Sequence, residues 1–370
     1  MTHRPMSRAR PARGALLCVL ALAGLAACGS GGDGPNDDDD LTRPFAWDLP
    51  PGFPEPVVPA DNPMSYAGIE LGRHLFYDRR MSITGDFACA SCHEQARAFT
   101  DGKPVGIGAT GESHPRNSMS LANAAYNSAH NWSNTAVGRL EQQALTPIFG
   151  EHPVELGLAG REAELLALVR ADTTYQRLFR LSYPGVADPY TLEGITKALA
   201  SFQRSLLSGR SPYDRYRYGG EPGAISASAK RGEDLFFSER LECFHCHSGI
   251  NFTAAATYVG KPFTERAFFN NGLYNIDGNG AYPEPNTGLI EFTGLPTDMG
   301  KFKAPTLRNI AVTAPYMHDG TIASLDEVLE RPASERPFVL LVTGFPAGDA
   351  MVPAIGRKPN PWPAGGPGGP

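Results

Sequence analysis

The sequence predicts a mainly α-helical chain of two tandem small domains of one kind, with long loops and a Pro/Gly-dense end that cannot form a long packed helix. Three observations carry this expectation. Gly72-Arg-His-Leu75-Phe76-Tyr77-Asp-Arg-Arg80 and Gly232-Glu-Asp-Leu235-Phe236-Phe237-Ser-Glu-Arg240 share Gly, Leu-Phe-aromatic and Arg in register. Each copy precedes a Cys-x-x-Cys-His motif, Cys89-Ala-Ser-Cys92-His93 in one case and Cys243-Phe-His-Cys246-His247 in the other. Elsewhere the regular apolar spacing is helical, and the remainder is rich in turn formers. A motif and its preceding helix that repeat together argue against a chance match.

The elements follow in chain order. Arg4, Arg8, Arg10 and Arg13 form a basic region before the apolar stretch Ala15 to Ala23, which is too short to span a bilayer. Leu25-Ala26-Ala27-Cys28-Gly29 resembles a bacterial lipobox, which makes Cys28 a lipidated first residue of the mature chain. The plainer reading is an ordinary signal peptide with a cysteine near its cleavage site. Residues 1–28 are read as a lipoprotein signal peptide and 29–44 as a flexible acidic tether. The first domain spans 45–208. Its repeat helix buries Ile69, Leu71, Leu75 and Phe76. Further helices are expected from Arg161 to Phe179, with Leu165, Leu166, Leu168 and Val169, and from Leu192 to Leu207, with Ile195, Leu199, Phe202 and Leu206. Ser208-Gly-Arg-Ser-Pro212 stops the latter. The second domain spans 209–331 and is mainly loop between His247 and Ala304. Ser324 to Glu330 starts a helix, but Pro332, Pro337 and the Pro/Gly-rich segment 332–370 cannot continue it. A frameshift or truncation near Arg331 would account for this.

Composition sets outer limits. A length of 370 residues suits roughly two domains. The net charge of -6 gives no reason to expect nucleic acid. Hydrophobic residues make up 41%, enough for cores, while 41 Gly and 33 Pro mark a loop-rich protein.

Cysteine use decides the chemistry. Of six cysteines, Cys18 lies in the apolar leader and Cys28 in the lipobox, and the other four fill the two motifs. None remains for a disulfide framework. C-x-x-C-H attaches a c-type haem through two thioether bonds, and the histidine becomes an axial iron ligand. A zinc site would need further ligands at matching spacing. A thioredoxin-like pair would want a βαβ context. Two covalently bound haem c groups are therefore expected, one on Cys89, Cys92 and His93 and one on Cys243, Cys246 and His247. Haem alone does not separate carrier from enzyme. An enzyme needs an open iron face and a group there that moves protons.

Glu70-Leu-Gly-Arg-His-Leu-Phe-Tyr-Asp78, the two motifs, Pro115-Arg-Asn117, and Ala304-Pro-Thr-Leu-Arg-Asn309 through Thr313-Ala-Pro-Tyr-Met-His-Asp-Gly320 together resemble the bacterial dihaem cytochrome c peroxidase and MauG family. The resemblance runs from Leu49 to Glu330. It implies two cytochrome c-like domains, a peroxidatic haem in the first and an electron-transfer haem in the second. It implies that Trp132 lies between the haems and that Glu155 is the general acid/base on the open face, with Gln143 and Pro147 nearby. On residue type alone, Trp132 would be a packing residue and Glu155 a surface one. The resemblance further implies a calcium ion on Asn117, Thr313 and Pro315, oxygen ligands that suit a hard cation. Asn117 could equally be a plain turn residue.

Two departures matter. Where related peroxidases place a histidine that blocks the peroxidatic iron, this chain has Ala109, with His114 at a different place. The first haem should therefore be open without activation, as in the MauG/MbnH-like branch. Trp47-Asp-Leu-Pro-Pro-Gly-Phe-Pro through Asp61-Asn-Pro-Met64 also resembles that branch. The family's far-side ligand of the second haem falls near Pro332, which cannot ligate iron. Met317 is the substitute candidate, with packing as its plainer role.

Three functions are weighed. The first is reduction of hydrogen peroxide with electrons from a small donor protein. The second is peroxide-dependent oxidation of a secreted partner protein. The third is a dihaem electron carrier without catalysis, which a high-spin ferric signal would reject. The expected place is the bacterial periplasm, with the membrane met only through the lipid anchor. A homodimer is compatible with the resemblance.

Overall fold

Two crossed helices carry the first half of the molecule. The computed structural model describes residues 37–330, which form a mainly helical body with little sheet. Helix Tyr66–Tyr77 starts at Ser65, whose side chain accepts from Gly68 N at 3.0 Å. It buries Ala67, Leu71, Leu75 and Phe76, with Ile69 at the edge of the same core. Helix Leu192–Ser205 starts at Thr191 and buries Ile195, Leu199 and Phe202. The crossing is close. A Cβ on Gly72 would lie 1.9 Å from the Ala198 carbonyl oxygen, so this repeat glycine is demanded by packing.

Two boundaries differ from the periodicity. The helix expected from Arg161 to Phe179 is two helices, Glu162–Ala171 and Thr173–Ser182. Asp172 separates them with extended backbone, and its Oδ1 accepts from Thr174 N at 2.9 Å and Tyr175 N at 3.3 Å. A side chain that satisfies the free N–H groups of a new helix competes with continuing the old one. The helix expected to reach Leu207 ends at Ser205.

The expected signal segment, Cys28 and residues 331–370 lie outside the described residues. The acidic tether differs from expectation where it is described. Asp37–Thr42 is a helix, Leu41 packs against the first core, and Asp38 pairs with Arg177. The aspartate run falls at the helix N-terminus, where the macrodipole favours negative charge.

In the second half, Ser226 caps Ala227–Phe236, the helix of the second repeat. Beyond the second motif the chain is irregular, as its Gly, Asn, Asp and Pro content predicts. The exceptions include an antiparallel pairing of Phe268–Phe269 with Phe302–Lys303 and the single turn Ile290–Thr293. The last described helix, Leu325–Glu330, opens on a reciprocal cap. Ser324 Oγ accepts from Glu327 N, and Glu327 Oε2 accepts from Ser324 N, each at 3.2 Å. Among the described residues no helix is long and apolar enough to cross a membrane.

Buried polar contacts lock the loops. Arg308 forks onto Asp214 at 2.9 and 3.0 Å, and the two side chains are 3% and 2% exposed. Arg116, buried before Asn117, reaches Glu291 Oε2 at 2.6 Å, Asn286 Oδ1 at 3.0 Å and Ser133 Oγ at 2.7 Å.

Candidate active site

The first motif forms a tight turn, Cys89–Ser91, next to the helix crossing. Cys89, Cys92 and His93 line one cavity. Phe76 and Leu199 from the crossed helices, with Ile148 and Leu156, give it apolar walls. Gln143, Pro147 and Glu155 line it too. The structure therefore brings the sequence-expected residues of the first site to one place.

His93 Nδ1 lies 2.8 Å from the Phe99 carbonyl oxygen. With Nδ1 donating there, Nε2 is the atom left to meet a metal. Burial holds the His93 pKa below its ordinary value, which keeps the imidazole in the neutral, ligating form. Burial pushes the Cys89 thiol up to about 12, and the Glu155 charge adds to this. Burial, with the Asp101 and Glu155 charges, pushes Cys92 up to about 11. Such thiols are not the reactive thiolates of a redox pair. Paired thiols, a neutral imidazole with Nε2 available and apolar walls fit a covalently held haem.

Glu155 is fixed through its backbone. The Ala109 N–H donates to the Glu155 carbonyl at 2.7 Å. A Cβ on Gly108 would lie 1.9 Å from the Val154 carbonyl oxygen, so the loop touches the Val154–Glu155 segment directly. Burial pushes the Glu155 carboxyl up to about 7. His93 is the one histidine lining this cavity among the described residues. His114 turns elsewhere, its Nδ1 accepting from Arg116 N at 3.0 Å.

The second motif lies on the turn Cys243–Cys246, and His247 Nδ1 is 3.1 Å from the Phe252 carbonyl oxygen. Burial lowers the His247 pKa as well. Both imidazoles are thus oriented by a phenylalanine carbonyl. Phe99 and Phe252 have left-handed backbone, with φ of 64 and 48. The sequence reading missed both, although a repeated signal existed in Phe99-Thr100 and Phe252-Thr253.

Trp132 is buried, packs with Tyr282 and Phe302, and donates from Nε1 to the Asn117 carbonyl at 2.8 Å. The Asn117 N–H donates to the His318 carbonyl at 2.8 Å, and its Nδ2 donates to the Lys103 carbonyl at 2.8 Å. Asn117, Thr313, Pro315 and Met317 line one cavity together with Trp132. Met317 Sδ accepts from Asn271 Nδ2 at 3.5 Å.

A family model for di-haem cytochrome c peroxidase matches residues 66–222. Over 299 residues the chain is 34% identical to the methylamine utilization protein MauG of Methylophilus methylotrophus, across 78% of this chain and 81% of that protein. The chain belongs to the di-haem cytochrome c peroxidase family. It is a haem-dependent oxidoreductase of peroxidase type, and two haem c groups are the cofactors the family implies. Among other members of this family, a cytochrome-c peroxidase of Pseudomonas sp. (strain SCT) is 34% identical over 298 residues, across 76% of each chain. A solved MauG-like protein associated with microbial copper homeostasis is 47% identical, with a TM-score of 0.74 across 77% of this chain and 81% of that one.

Proposed function

We propose that the chain reduces hydrogen peroxide at the first haem, with two electrons from an external donor and two protons yielding two waters. The observation that carries this reading is Glu155, a carboxyl held near pH 7 in the cavity of Cys89, Cys92 and His93. When bound, the haem supplies the iron that takes up the oxidising equivalents of peroxide. The Glu155 carboxylate removes the proton from the near peroxide oxygen and returns it to the far oxygen as the O–O bond breaks. A pKa near the working pH suits both transfers. Gln143 offers an amide to orient peroxide beside Glu155. The walls formed by Phe76, Ile148 and Leu156 limit water. Trp132 links the first site to the second, which relays electrons. Glu155→Gln, with both haems attached, should lose turnover, and wild-type peroxide kinetics in that variant would remove Glu155 from this role.

A second reading is peroxide-dependent oxidation of a secreted partner protein. It is supported by the 47% identity to a MauG-like protein and by the absence of a second histidine among the described residues lining the first cavity. A small protein that becomes oxidised when incubated with the chain and peroxide would favour it.

The remaining parts of the proposal rest on the sequence. Residues 45–208 would hold the peroxidatic haem and 209–331 the electron-transfer haem, in two tandem domains without the closing helix. Asn117, Thr313 and Pro315, which share a cavity, would bind calcium. Met317 would have to leave Asn271 to ligate the second haem. Lipidation at Cys28 would hold the chain to a membrane facing the periplasm.

A further inference from the structure

We propose that Lys303 holds a haem propionate in the cavity between the two motif sites. Lys303 ends the short strand Phe302–Lys303, and its backbone N–H donates to the Trp132 carbonyl at 2.8 Å. The residue is 4% exposed and lines the cavity that also takes in Asn117, Met119 and Pro305. No Asp or Glu is among the described residues lining that cavity. Burial alone lowers the Lys303 pKa to about 8, with no carboxylate to oppose it. His130 is held neutral, because burial and the charges of Lys303, Arg204 and Arg266 push its pKa down to about 3.

An ammonium buried without a counter-charge is strongly disfavoured. The cavity walls indicate where the anion comes from. Thr100 follows Phe99, whose carbonyl orients His93. Pro305 follows Ala304, whose carbonyl accepts from Thr253 Oγ1 at 2.6 Å, and Thr253 follows Phe252, which orients His247. The cavity thus abuts the histidine-orienting segments of both motifs. A c-type haem carries two propionate carboxylates, and its thioethers fix where they fall. Lys303 is therefore a positioning residue that fixes the carboxylate edge of one haem beside Trp132.

The inference rests on haem attachment at both motifs, which the intact mass of the purified chain establishes separately. Resonance Raman spectra of the holoprotein report propionate bending modes, and excitation tuned to each haem separates the two sources. Lys303→Met should shift the bending mode of one haem, and Lys303→Arg should restore it. Identical modes in wild type, K303M and K303R, with two haems present by mass, would overturn the inference while leaving the proposed activity standing. If K303M does not accumulate, an experimental structure of the wild-type holoprotein decides. Nζ about 3 Å from a propionate oxygen supports the inference, and Nζ facing only protein or solvent overturns it.

Discussion

Replacing Glu155 by Gln keeps the size of the side chain and removes its titration. Burial raises the carboxyl from 4.5 to about 7. At about 1.4 kcal/mol per unit, this is on the order of 3 kcal/mol set against ionising it in the cavity. About half of the carboxyl is then ionised at pH 7 and about a tenth at pH 6. Proton removal from peroxide uses the ionised form, which is lost as pH falls through the folded pKa. The wild-type rate should therefore rise with pH along a limb centred near pH 7. His93 does not supply this limb, because burial moves its pKa below the ordinary value. General acid/base catalysis contributes about 10²–10⁴-fold, or about 3–5 kcal/mol of barrier. Stopped-flow mixing of the diferric protein with peroxide across pH 5 to 9, a range of roughly two units either side of that limb, measures both quantities. E155Q should be slower by that factor and its rate flat with pH. A variant that keeps the wild-type rate and the same limb would show that another group moves the proton.

Four further outcomes are expected. The Glu155 carboxyl ionises later in the folded chain than in the unfolded one, so its contribution to stability falls as pH rises from about 4.5 to 7. E155Q should therefore gain stability over wild type at pH 8, by up to about 3 kcal/mol, and not at pH 4, as read from urea midpoints. Asp214→Ala leaves the Arg308 guanidinium buried without its fork partner, and denaturation should show a loss of about 3–5 kcal/mol. Gly108→Ala drives a Cβ into the Val154 carbonyl and displaces the adjoining Glu155. Its peroxide rate should fall by up to about 10²-fold, while the pyridine haemochrome spectrum shows haem content unchanged. Asp172→Ala removes the cap of helix Thr173–Ser182, and a thermal melt should reveal a loss of about 1 kcal/mol.

How much could be read in advance depends on where each property resides. The two C-x-x-C-H motifs are legible because two thioethers and one iron ligand permit almost no variation in spacing. The helix pair around Gly72 is legible because apolar periodicity marks its buried face. Periodicity does not register the break at Asp172, since Leu165 and Val169 on one side and Leu178 and Phe179 on the other all remain buried. The information there lies in one polar side chain and its local hydrogen bonds. Phe99 and Phe252 act through carbonyl oxygens, which every residue has, so their role appears only once the backbone conformation is known. Lys303 reads as an ordinary surface lysine until the strand pairing and Trp132 enclose it. Glu155 carries no local signal, and only the resemblance points to it. Its pKa is a property of the closed cavity, not of the residues beside it in the chain.

Asn117 spends both faces of its peptide on other parts of the molecule, its N–H on the His318 carbonyl and its carbonyl on the Trp132 indole. These two hydrogen bonds stand in series. A shift of the loop that ends at His318 is passed through one amino acid to the ring of Trp132. The position of that ring is therefore tied to a segment more than a hundred residues downstream of it. Changes in the Thr313–Gly320 loop, though distant in sequence, should be felt at the Trp132 ring.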